Sequence, residues 1–77
     1  MKYASVKTIL LAAQRNQQYG VIKTHSNTVC FSFVNGDCSE DDIIGCNSDT
    51  EVISILNKVC NSYIDCDKID TIEVYNQ

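Results

Sequence analysis

The sequence predicts an α+β domain in the order α-β-β-β-α-β, a small antiparallel sheet with two helices packed on one face. Three patterns carry that expectation. Val6, Ile9, Leu10 and Ala13 recur at helical spacing. Thr28 to Val34 alternates, with Val29, Phe31 and Phe33 on one face. Val52, Ile53, Leu56, Val59, Cys60, Tyr63 and Ile64 return to helical spacing over a wider apolar face. Elements with one apolar face each bury it by stacking in layers.

The first helix is expected from about Tyr3 to Tyr19, with Lys7, Gln14 and Gln18 on the side away from its stripe. Gly20 falls where a helix C′ residue belongs, since glycine takes the left-handed conformation without a Cβ penalty. Val21 to Ser26 then reads as a strand, and Ser26-Asn27 as the turn into Thr28–Val34. Asn35-Gly36 supplies the two positive-φ positions of a type I′ turn, so a third strand is expected to return. A strict two-residue hairpin would set Glu40 across from Phe31 and Asp42 across from Val29. Carboxylates on a buried aromatic face are costly. The stretch Asp37–Asp42 is therefore expected to be loop or exposed edge, with the buried part of the third strand near Ile43-Ile44. Ser48 and Glu51 have capping-box spacing and open the second helix, expected over residues 50–64 with a stop near Cys66. Val52, Leu56, Val59 and Tyr63 are expected to pack against Phe31 and Phe33 or their sheet neighbours. Thr71–Tyr75 alternates, is rich in β-branched residues and is expected as the last strand.

The chain has 77 residues, a single domain over 1–77, and its 44% hydrophobic content is that of a globular protein. A chain this short buries only ~60% of its unfolded surface, so its stability is marginal. No stretch approaches the ~20 apolar residues of a membrane span. The apolar run Ile9–Ala13 is shorter than the ~7–15 residues of a signal-peptide core, so a cytoplasmic protein is expected. The cysteines, Cys30, Cys38, Cys46, Cys60 and Cys66, are odd in number and form no C-x-x-C. They are expected to be reduced apolar fillers rather than a disulfide framework. With His25 the sole histidine, a zinc site would need an unusual spacing. Asp37–Asp42 lacks the central glycine and terminal glutamate of a calcium loop. No metal or other cofactor is expected. Gly20, Gly36 and Gly45 make no phosphate-binding loop, and nothing sets a base beside a nucleophile, so no enzyme is expected.

The strongest functional signal is the layout of charge. Residues 1–34 carry Lys2, Lys7, Arg15 and Lys23 and no acid, whereas residues 35–77 carry all ten acids against Lys58 and Lys68, giving the net −4. Two groups stand out: Asp37, Glu40, Asp41 and Asp42, then Asp65, Asp67 and Asp70. Clustered carboxylates can be a solvated rim that keeps a small protein soluble. They can also speed and orient the encounter with a basic partner. Both groups are candidate partner-binding residues, the first as the principal one. The α-β-β-β-α order is shared with double-stranded-RNA-binding domains. Here the second helix opens Ser48-Asp49-Thr50-Glu51, the wrong sign for phosphate, and the pI is near 4.6, so direct nucleic-acid binding is not expected.

An Asn-Gly after an aromatic strand, followed by an acidic segment and a capped helix, resembles small acidic phage-encoded inhibitors of the anti-CRISPR kind. The likeness runs from Phe31 through Leu56. It implies a basic protein surface as partner, such as the nucleic-acid-binding groove of a nuclease, with Asp37, Glu40, Asp41 and Asp42 at the interface inside a host cell. The alternatives are a structural or assembly subunit acting as a homodimer, and a nucleic-acid module using Lys7, Gln14, Arg15 and Gln18 of the first helix.

Overall fold

A computed structural model describes residues 5–34 and 38–76. It is an α+β fold in the order α1 (Val6–Arg15), β1 (Tyr19–Thr24), β2 (Thr28–Ser32), α2 (Glu40–Ile44), α3 (Asp49–Cys60) and β3 (Ile69–Tyr75), with a short 3-10 turn at Cys66–Lys68. The strands form one antiparallel sheet in the order β2-β1-β3. Gly20 pairs with Phe31 and Val74, and Ile22 with Val29 and Ile72. These positions share one face, because side chains alternate along a strand. Leu10 and Ala13 of α1, Ile43 of α2 and Val52, Ile53 and Leu56 of α3 join Ile22, Phe31, Phe33 and Ile64 in one buried cluster. The helices thus cover one face of the sheet and leave Tyr19, Val21, Lys23, Cys30, Glu73 and Tyr75 on the other.

The third strand expected near Ile43-Ile44 is a helix instead. Ser39 Oγ accepts from the Asp42 N–H while the Asp42 carboxylate accepts from the Ser39 N–H, closing a capping box. Glu40, Asp41 and Asp42 fill the first turn, where the helix dipole favours negative charge. At the far end, Lys7 Nζ donates to the carbonyls of Ile44 (3.0 Å) and Cys46 (2.8 Å). Five residues cannot hold a helix on their own. The side-chain bonds at both ends, and the buried Ile43, supply what the short backbone lacks. The acids that make a strand register costly are those that start a helix well. Asn35, Gly36 and Asp37 lie outside the described residues, and with them the expected type I′ turn.

The helix ends also differ, and the strands run Tyr19–Thr24, Thr28–Ser32 and Ile69–Tyr75 rather than Val21–Ser26, Thr28–Val34 and Thr71–Tyr75. α1 stops at Arg15, four residues short of the expected end. Its last carbonyls are closed by Gln17 N–H to Gln14 and Gln18 N–H to Ala13, with Gln17 in the left-handed region at φ 50°. Gly20 therefore lies inside β1 and not at a helix end. α3 stops at Cys60 because Asn61 is left-handed at φ 51°, with Ser62 N–H returning to Asn57. The Asn57 side chain then accepts from the Ile64 N–H (2.7 Å) and donates to the Ile64 carbonyl (3.1 Å). Ile64 is drawn into the core, and Tyr63 is left 79% exposed rather than packed on Phe31 and Phe33. Among the described residues, no helix is long and apolar enough to cross a membrane.

Candidate functional site

The first half of the chain donates its cations to the second half. Lys7 closes the carbonyls at the end of α2. Arg15, in the last turn of α1, donates from Nε to Glu40 Oε1 at 2.7 Å. Lys23 in β1 reaches Glu73 in the neighbouring β3 at 3.2 Å. His25, exposed at the β1–β2 turn, places Nε2 3.0 Å from Asp70, an ion pair when the imidazole is protonated. These pairs cross the sequence boundary at residue 34, so the segregation of charge is in part internal complementarity.

The carboxylates divide accordingly. Of the principal group, Glu40 is held by Arg15 and Asp42 by the Ser39 cap, whereas Asp41 is exposed and has no side-chain bond to any described residue. Asp37 lies outside the described residues. The second group is split by the fold. Asp65 caps the 3-10 turn by accepting from the Asp67 N–H, Asp67 is exposed, and Asp70 points to His25 at the sheet end. Asp49, which the sequence did not single out, joins the first two. Burial pushes the Cys66 thiol up, a Thr50 hydrogen bond pulls it down, and Asp49, Asp67 and Asp65 add to the rise. Those three carboxylates are near enough to Cys66 to act on its thiol. Asp65, Cys66 and Asp67 line a shallow groove of about 220 Å³ between α3 and residues 63–67, with Thr50, Ser54 and Asn57 on one wall and Tyr63 at the rim. A fourth acid, Glu51, accepts from the Asn47 N–H in front of α3.

The Cys38, Cys46 and Cys66 thiols are poor nucleophiles. Burial raises Cys38, helped by Asp42 and Cys46. Burial also raises Cys46, with Glu51 adding to it and Lys7 opposing. A raised thiol stays protonated at neutral pH, and the thiolate is the reactive form. None of the five cysteines, all of them described, is joined in a disulfide. Among the described residues, no three His, Cys, Asp or Glu side chains are placed to hold a metal ion. Around the groove the exposed groups are the Asp67 carboxylate, the hydroxyls of Thr50 and Ser54 and the Tyr63 ring. No protein-family model, curated protein or solved structure matches the chain.

Proposed function

We propose that this chain is a non-enzymatic interaction domain that presents carboxylates to a basic protein partner. One observation carries this reading. The described cations of the first half are spent on the chain's own carboxylates and carbonyls, while Asp41 and Asp67 stand exposed without an ion-pair partner among the described residues. The field left for a partner is thus negative, which raises the encounter rate with a Lys/Arg-lined surface. The finer form of the proposal is an inhibitor of the anti-CRISPR kind that occupies the nucleic-acid groove of a nuclease. It draws on the architectural resemblance alone, since fold does not fix function.

The test is capture of a partner by tagged chain from the native host at graded salt, followed by variants measured against the purified partner. Replacing Asp37, Glu40, Asp41 and Asp42 by Asn or Gln is expected to slow association and flatten its salt dependence. Replacing Asp65, Asp67 and Asp70 by Asn tests the second candidate group separately, and the variant that replaces Asp65 and Asp70 but keeps Asp67 is the control. Thermal melting separates lost binding from lost fold, because Glu40 and Asp42 also hold α2. Equal small effects from both sets would reduce the acids to a solvated rim, and unchanged binding in both would refute docking through carboxylates.

A further inference from the structure

One side of the β2 backbone takes no backbone bond from any described residue. Thr24 N–H donates to Asn27, and Phe33 N–H to Gln18. With the register Ile22 to Val29 and Gly20 to Phe31, these bonds make 24–27, 22–29, 20–31 and 18–33 the bonded pairs. Val29, Phe31 and Phe33 therefore direct their N–H and C=O groups at β1. Thr28, Cys30 and Ser32 direct theirs away from the sheet, and β2 is an outer strand. No backbone bond among the described residues takes up those groups.

An outer strand is a template for pairing unless it is guarded by charge, proline or a bulge. β2 reads Thr-Val-Cys-Phe-Ser and has neither charge nor proline, and its register with β1 is unbroken. The other outer strand, β3, is guarded. It carries Asp70 and Glu73, and its register shifts at Lys23/Thr24. The side chains of Thr28, Cys30 and Ser32 are all exposed, so nothing bulky shields the edge.

We infer that two copies of the chain pair antiparallel through β2, with the two-fold axis at Cys30, to form a continuous six-stranded sheet. A second copy is the occupant because the free groups are self-complementary about their centre. Thr28 meets Ser32 of the partner, Cys30 meets its own counterpart, and Ser32 meets Thr28. Each pair exchanges two backbone bonds. No like charges come face to face, since β2 carries none. A strand edge alone covers less than a standard interface, so the dimer is weak and forms at high concentration.

This inference is independent of the carboxylate proposal, and salt separates them. The copies each carry −4, so added salt screens their repulsion and favours the dimer, whereas it weakens a charge-driven complex. The experiment is sedimentation and amide exchange in reductant, from ~10 µM to ~1 mM, the range in which weak pairing is populated. At low concentration the Val29 and Phe31 amides are expected to exchange slowly and those of Thr28, Cys30 and Ser32 quickly. At high concentration all five should be slow, with at least a tenfold gain at the three outward amides. Cys30→Lys should remain monomeric with an unchanged melting temperature, and Cys30→Thr should still dimerise, excluding a thiol cross-link. A monomer throughout, dimerisation of Cys30→Lys as strong as that of the parent, or fast exchange at the three amides in a dimer would overturn the inference.

Discussion

Gly20 separates two accounts of the first thirty residues. At a helix C′ position a glycine is replaced well by Asn and less well by Ala, because Asn tolerates the left-handed region. Inside β1 the constraint is space. A Cβ on Gly20 would collide with the Glu73 carbonyl oxygen and lie 2.6 and 2.9 Å from Cζ and Cε2 of Phe31. The Phe31 ring is buried against Phe33, their centroids 5.3 Å apart, and has little room to retreat. The Glu73 oxygen belongs to the backbone of β3 and can move only if the β1–β3 ladder opens. Overpacking of this kind costs ~1–3 kcal/mol, and each ladder bond lost adds ~1 kcal/mol. Gly20→Ala is therefore expected to cost about 3–5 kcal/mol, a large part of the ~4–12 kcal/mol available to a domain of this size.

Urea and thermal unfolding followed by circular dichroism would measure it. A loss of 3 kcal/mol lowers the midpoint by roughly 12–24 °C in a domain this small. Gly20→Asn should be worse than Gly20→Ala, because a larger polar side chain meets the same two obstacles in the core. The opposite ranking, or Gly20→Ala melting with the parent, would show that β1 is not packed as described. A Phe31→Leu background should recover only part of the loss, since the backbone collision remains.

Four further outcomes are expected. Lys7→Met should cost about 1–2 kcal/mol, near the low end for charged hydrogen bonds because one of its two bonds is exposed, and should lower the helical signal of α2. Leu56→Ala, at a fully packed site, should cost ~2–5 kcal/mol in equilibrium unfolding. In native protein at neutral pH, a maleimide should label the exposed Cys30 first and the buried Cys38 and Cys46 last, with all five titrating in denaturant. Glu73 is held below its ordinary value, first by the Tyr75 hydroxyl and then by Lys23. Its stabilising effect is present above the ordinary glutamate range and lost as pH falls below it, so Glu73→Gln should flatten the acid limb of a stability–pH curve.

What could be read from the sequence was local. The stripe of α1, the alternation of β2 and the Ser48 cap of α3 are written within a few residues of each other, and all three elements are present. α2 was obscured because Asn35-Gly36 argued for a returning strand, although Ser39 and Asp42 already had the spacing of a cap. Its other support, Lys7, lies 37 residues away and leaves no local mark. Tyr63 followed the apolar spacing of α3, but Asn61 ends the helix two residues earlier, so the periodicity no longer applied. The partners of the carboxylates were hidden for the same reason: Arg15 is 25 residues from Glu40, and Lys23 is 50 from Glu73. Sequence could collect the acids into groups but could not separate the paired from the unpaired.

That division changes what the charge layout means. Placing every acid after residue 34 gives the later segments the residues that helix starts use, and Asp42, Asp49, Glu51 and Asp65 all accept backbone N–H bonds at or near such starts. Asp49 does so for α1 rather than for its own helix, receiving the Lys7 N–H at 3.0 Å. Lys7 thus ties two joints at once, with its backbone held by the start of α3 and its side chain closing the end of α2. In a domain with so little core, such cross-ties carry a larger share of stability than in a longer chain. Mutating the acids as a block would therefore confound binding with folding. Asp41 and Asp67 are exposed and make no side-chain bond to any described residue, so removing either carboxylate costs the fold at most the ~0.3–1 kcal/mol of a charge in a helix's first turn, and a larger loss of binding belongs to the partner.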